Sequence, residues 1–171
     1  MFMIDYVTPK KAEGSIEKIY SFFPEGIPVP DSLQLYSASP RYLERQWAAV
    51  GDLMADDAYD QGLLAALRYI GASTACFGYC SQFNKQMLNS MGLTEEEVDA
   101  LATNPSAAFE EKDAALITFV AKSTANPDDV TQADIEAVRN QGWTDQQVFE
   151  TTAYAAQMAT VGIVFRTFSN K

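Results

Sequence analysis

The residues with the clearest chemical potential share one short stretch, residues 71–84, which reads GASTACFGYCSQFN. It holds both cysteines of the chain, Cys76 and Cys80, with Ser73 upstream and Asn84 downstream. On a helix Cys76, Cys80 and Asn84 fall at i, i+4 and i+8, along one face. Two thiols beside a polar side chain suggest thiol redox chemistry, with Cys80 and Cys76 as the candidate catalytic residues. The spacing opposes an easy bridge. Side chains four apart on a helix hold their Cβ atoms ~5–6 Å apart, whereas a disulfide needs ~3.5–4.5 Å. Redox pairs are more often Cys-x-x-Cys at a helix N-terminus, where the dipole favours the thiolate. Two buried, inert cysteines are the competing explanation, because free Cys is among the most buried residue types. Phe77, Tyr79 and Phe83, with Asn84, are candidates to line an apolar substrate pocket; aromatics at this spacing serve equally as core.

The chain contains no histidine. That excludes a Ser-His-Asp triad, a Cys-His pair and every metal site built on imidazole. Acid–base work near neutral pH then falls to a perturbed carboxylate, Cys, Lys or Tyr. With no Gly-rich phosphate loop or dinucleotide fingerprint either, no cofactor and no metal are expected. The acidic runs at 56–57 and 110–113 stand beside helix starts and read as solvated faces favoured by the helix dipole. Arg166 is either an ion-pair partner at a subunit interface or a plain surface residue.

The elements that position this stretch are helical, since apolar residues recur at helical intervals and strand-like alternation is scarce. Ile16, Ile19, Tyr20 and Phe23 mark a first helix that stops at Pro24. Residues 26–30 read as a proline-stiffened connector. Ser39 and Pro40 give an N-cap and a first-turn proline for a helix carrying Leu43, Trp47, Val50 and Met54. Leu63, Leu64, Leu67 and Ile70 mark the next. The cysteines belong to a third long helix, predicted from about residue 75 to 91 and closed by Gly92. Thr94 and Glu97 form a capping box, and Thr131 and Thr144 read as caps of the last two helices. Ala153, Ala155, Ala156, Ala159 and Gly162 are small residues that permit close packing of the final helix. The uncharged runs 69–84 and 151–165 are expected to pack together, in the domain centre or at a subunit interface. The expected architecture is all-α: one domain over 1–171, with 1–38 an N-terminal arm and connector and 39–171 the helical core.

The 171 residues carry a formal net charge of −11, which disfavours nucleic acid and an anionic membrane surface as partners. Both uncharged runs fall short of the ~20 apolar residues that span a bilayer. The N-terminus has no apolar signal region, so a reducing cytoplasm is the expected setting.

In order and spacing, several fragments together resemble the alkylhydroperoxidase D / carboxymuconolactone decarboxylase family, in its peroxidase-related branch. They are Val29-Pro30, Ser39-Pro40, Phe77-Gly78-Tyr79-Cys80 with Asn84 and Gly92-Leu93-Thr94, and Val130-Thr131, Asp134-Ile135, Val138-Arg139 and Gly142-Trp143-Thr144-Asp145. The resemblance covers nearly the whole chain. It implies an oligomeric all-α fold and a thiol-dependent, peroxidase-type antioxidant oxidoreductase. The family pairs a Cys-x-x-Cys motif with a glutamate and a histidine that manage protons. Position by position, Cys80 matches the second cysteine, Phe77 stands at the first, Asn84 replaces the histidine and Ala65 the glutamate. Cys76 is displaced by one residue. One motif position of four is kept, so the site is expected to be degenerate. The alternatives are a non-catalytic small-molecule-binding or structural oligomer of the same fold, and a related lyase. Expected partners are a second copy of the chain and an apolar small molecule or hydroperoxide.

Overall fold

The structure is a computed structural model in which residues 2–23, 27–75 and 77–170 are described. Nine α-helices occur among these residues: α1 (Gly14–Tyr20), α2 (Asp31–Tyr36), α3 (Pro40–Ala55), α4 (Gln61–Thr74), α5 (Gly78–Ser90), α6 (Glu95–Ala100), α7 (Glu111–Ala125), α8 (Gln132–Asn140) and α9 (Asp145–Phe168). The described residues form no strand, only an isolated antiparallel bridge between Phe2 and Ser169. None of their helices is long and apolar enough to cross a membrane. The all-α expectation holds. The chain divides into two compact units, Met1–Ala58 with Ile163–Lys171, and Tyr59–Gly162.

In the first unit the N-terminal segment lies against the end of α9. Met3 N donates to Phe168 O at 2.8 Å, and the Phe2 ring meets Phe165 edge-on at 5.3 Å. Ser37 Oγ accepts from Val7 N at 2.6 Å, and Tyr20 Oη donates to Val7 O at 2.9 Å. Leu35, Leu43, Ile16 and Ile19 of this unit are buried. The stretch 1–38, read as arm and connector, also contains the short helix α2, which Pro30 precedes as N-cap; Pro24, read as the stop of the first helix, and Gly26, the first residue of the connector, lie outside the described residues. An apolar cleft of about 300 Å³ opens in this unit, lined by Leu35, Tyr36, Tyr42, Val164 and Phe168 among others.

The second unit is built around α4. Eight of its 14 residues are buried, from Leu63 through Ala72, so this helix shows an apolar surface on nearly all sides, as a central helix does. Asp60 caps it by accepting from Leu63 N at 2.7 Å. The helices α5 and α7 pack directly on α4. Ser39 stands at the N-cap of α3 with Pro40 following, but its side chain makes no cap bond; the predicted caps of the second unit hold in detail. Thr94 Oγ1 accepts from Glu97 N while Glu97 returns to Thr94 N at 2.8 Å, Asp134 accepts from Thr131 N at 2.7 Å, and Thr144 and Gln147 exchange the same pair of bonds. Gly92 and Gly142 take φ of 106° and 90°, the left-handed conformation that ends a helix cheaply only at glycine.

The third long helix departs from expectation. It begins at Gly78, not near residue 75, and α4 ends at Thr74. Packing causes the break. Gly71 is pressed so close to α9 that a Cβ there would lie 2.0 Å from Ala155 O, and the Cβ built at Gly162 would lie 3.1 Å from the Phe77 side chain. The Phe77 ring is 3 % exposed, and Phe77 N turns back to donate to Ala72 O at 2.9 Å. In this unit the uncharged run of α9 therefore packs on the run that ends α4 and starts α5.

Candidate functional site

Cys80 is the third residue of α5 and is buried. Cys76, its expected partner, lies outside the described residues. The expected shared face is described for Cys80 and Asn84, which lie four residues apart on α5. Asn84, four residues on, is 2 % exposed, and its Nδ2 donates to Cys80 O at 2.8 Å. Of the other candidate pocket residues, Phe77 is buried beside Gly162 and tilts toward Tyr79, their ring centroids 6.1 Å apart. Tyr79 is 37 % exposed, and Phe83 is half-buried.

The rest of the site comes from residues that the sequence reading passed over. Arg68 of α4 donates from Nε to Asn84 Oδ1 at 2.8 Å. One of its terminal nitrogens donates to the Tyr154 phenol of α9, and the other points at Met87 Sδ, 3.4 Å away. The guanidinium carbon lies 5.8 Å from the centroid of the Tyr154 ring, within reach of a cation–π attraction. Arginine can only donate, so the atom of Asn84 that faces it must be the carbonyl oxygen; the amide orientation follows without ambiguity. A chain of donors thus runs one way, from Arg68 through Asn84 to the carbonyl of Cys80. A signal for Arg68 was present, since it is the one charged residue between Asp60 and Lys85. A lone charge in a helix otherwise apolar all round has to find partners inside.

This chain holds a geometry but moves no proton. Asn84 is neutral at any ordinary pH, and a guanidinium stays protonated. Ala65, where the resemblance places a glutamate, is fully buried and apolar. Lys85, the nearest lysine after Cys80, is bound by Asp99 at 2.7 Å and Glu95 at 3.1 Å. Its hydrogen bonds to these two carboxylates hold its ammonium well above the ordinary lysine range. Desolvation and then the Asp99 charge likewise push Tyr69 up, away from neutrality. Among the groups of this unit whose pKa departs clearly from its ordinary value, only Asp113 moves toward neutrality, raised by burial and then by the Asp60 charge. Asp60 caps the start of α4, while Cys80 follows its end, with a helix of 14 residues between, roughly 20 Å at 1.5 Å per residue. Among the described residues no group of three or more Cys, Asp or Glu could hold a metal ion.

The second unit thus joins a central apolar helix, a following helix that opens with a buried cysteine, and a long C-terminal helix, and the likeness to solved structures gives the whole an all-α fold of the alkylhydroperoxidase D type. Solved structures support that assignment. The chain is similar to the alkylhydroperoxidase D core of an uncharacterized peroxidase-related protein from Ralstonia eutropha, with a TM-score of 0.71 and 19 % identity over 89 % of this chain and 81 % of that one. It is also similar to an uncharacterized peroxidase-related protein from Silicibacter sp., with a TM-score of 0.66 and 19 % identity over 88 % and 81 % of the two chains. At this identity the likeness shows the fold. No protein-family model matches the sequence, and no curated protein matches it significantly.

Proposed function

We propose that the protein is a thiol-dependent, peroxidase-type oxidoreductase in which Cys80 is the reacting sulfur and the proton relay has been replaced by fixed hydrogen bonds. The observation that carries this reading is the setting of Cys80. It is a buried cysteine in the first turn of a 13-residue helix, within a fold shared with peroxidase-related proteins. In the reaction the Cys80 thiolate attacks the terminal oxygen of a hydroperoxide. An S–O bond forms, the O–O bond breaks, and the alcohol leaves after taking up a proton. The sulfur is oxidised to a sulfenic acid. A second thiol, from Cys76 or from an external dithiol, then attacks the sulfenic sulfur, expels water and leaves a disulfide that the external reductant clears. Asn84 and Ala65 stand where a histidine and a glutamate are expected by resemblance, and neither side chain can take the thiol proton or protonate the alkoxide. Loss of a positioned general acid–base typically slows a step by 10²–10⁴, so turnover is slow.

The test follows cumene hydroperoxide consumption with dithiothreitol in the native protein, in Cys80→Ser and in Asn84→His. The expected result is slow oxidation that disappears in Cys80→Ser and does not become robust in Asn84→His, which still lacks the first cysteine and the glutamate. Consumption that is equal in the native and Cys80→Ser proteins would overturn the reading. Robust turnover by Asn84→His would show that one proton shuttle suffices.

Self-association belongs to the same proposal. On α9 Phe149 is 74 % exposed, and Ala153 and Ala156 follow it on the same exposed face, a surface suited to a second copy. Light scattering is expected to give at least twice 18.8 kDa at micromolar concentration; a monomer would remove this part.

A further inference from the structure

We infer that Arg68 forms the anion-binding half of a ligand site beside Cys80, and that the ligand it takes is a small monocarboxylate. The first ground is the charge. Arg68 is half-buried on the central helix, and its described partners are an amide oxygen, a phenol and a thioether. None of the ion pairs among the described residues involves it. A charge partly withdrawn from water costs free energy unless an opposite charge offsets it, and three neutral acceptors do so only in part. Every other buried or half-buried cation so placed in this unit is matched: Lys85 by Asp99 and Glu95, and Lys122 by Asp134.

The second ground is the donor count. A guanidinium has five N–H groups. The contacts to Asn84, Tyr154 and Met87 use one on Nε and one on each terminal nitrogen. One N–H therefore remains on each terminal nitrogen, and a carboxylate has two oxygens to accept from them. Asn84 and Tyr154 fix the plane of the guanidinium, so little rotamer freedom remains to be lost when a ligand arrives. The third ground is the valence. One guanidinium neutralises one negative charge. A phosphate, with up to two, would bring surplus negative charge into a chain already at −11.

This inference deepens the proposed function by naming a class of substrate, a hydroperoxide or related molecule that carries a carboxylate. It rests on that reading only for what happens after binding. The experiment is therefore done with the Cys80→Ser protein, so that failure of the redox reading and failure of the binding site are told apart. Benzoate is titrated at low salt, with benzamide as the neutral isostere and inorganic phosphate as the dianion. Binding is read from the melting temperature and from the NMR signal of the Arg68 Nε–H, assigned with Arg68→Lys. Benzoate is expected to raise the melting temperature saturably and to shift that one side-chain resonance. Benzamide does neither, and phosphate binds at least tenfold more weakly. Arg68→Gln loses the response, Arg68→Lys keeps a weakened one, and raising the salt from about 20 to about 200 mM weakens it in the native sequence. If Arg68→Gln does not fold, the resonance shift and the benzamide control still decide. Equal responses to benzoate and benzamide, a benzoate response undiminished in Arg68→Gln, or no movement of the Nε–H signal would each overturn the site.

Discussion

Two helices of the second unit begin in opposite ways. The first turn of α6 is closed by its own residues, with Thr94 and Glu97 exchanging bonds across three positions at the surface. The first turn of α5 has Phe77 as N-cap, a residue with no polar side chain to offer. What holds that start is distant in sequence: Gly162 under the Phe77 ring and Ala155 against Gly71. A locally written helix start is robust and chemically silent. A start imposed by packing puts a cysteine, an amide and a guanidinium where no local rule would gather them, and its integrity depends on the fit of three helices.

The contrast can be broken from either side. Phe77→Ala empties a buried ring site and is expected to cost about 3–5 kcal/mol. It should also change the rate at which Cys80 reacts with a small alkylating reagent; unchanged reactivity in the folded fraction would mean that Phe77 does not set the start of α5. Gly71→Ala is next, at about 3 kcal/mol, because the added methyl meets backbone and not a side chain that could swing aside. Urea unfolding that finds this variant within about 0.5 kcal/mol of the native protein would show that α4 and α9 slide apart easily. Thr94→Ala removes only a cap, about 1 kcal/mol, and leaves Cys80 reactivity untouched.

The smallest effect is one of pH. Hydrogen bonds from Lys122 and then Thr131 pull the Asp134 carboxyl down to about 2. A carboxyl whose folded pKa is depressed stabilises the fold above its unfolded value, about 3.9, and that contribution is lost as pH falls through about 2. Lys122→Met should lower stability slightly at pH values above about 3.9, and the difference from the native protein should shrink to nothing as pH falls through about 2. Equal stability of the two proteins at neutral pH would assign the depression to Thr131 alone.

The capped helices were legible in the sequence because the groups that end a helix lie within three or four residues of the end. Thr94 with Glu97, Thr131 with Asp134, Thr144 with Gln147, and the glycines at 92 and 142 all declare themselves locally. The order of fragments also pointed to the fold. The break between α4 and α5 was not legible, since no proline marks it and the residues responsible on α9 stand some 80 positions away, as Ala155 does from Gly71. The site was half legible for the same reason. Cys80 and Asn84 lie one turn apart on one helix, but Arg68 and Tyr154 reach them from two others, and only an isolated charge in an apolar run hinted at the first.

The two tryptophans of the chain fall one in each unit, and their surroundings differ. Trp143 is 2 % exposed, stacked on Tyr59 at 5.7 Å with the Lys112 ammonium 4.3 Å from its ring. Trp47 is half-buried and meets Phe22 edge-on at 5.2 Å. The molecule therefore carries a separate optical reporter in each part. Trp47→Phe leaves fluorescence from the unit that holds Cys80, and Trp143→Phe leaves the other. Coincident melting of the two single-tryptophan proteins would mark one cooperative transition, and separated curves would time the loss of each part on its own.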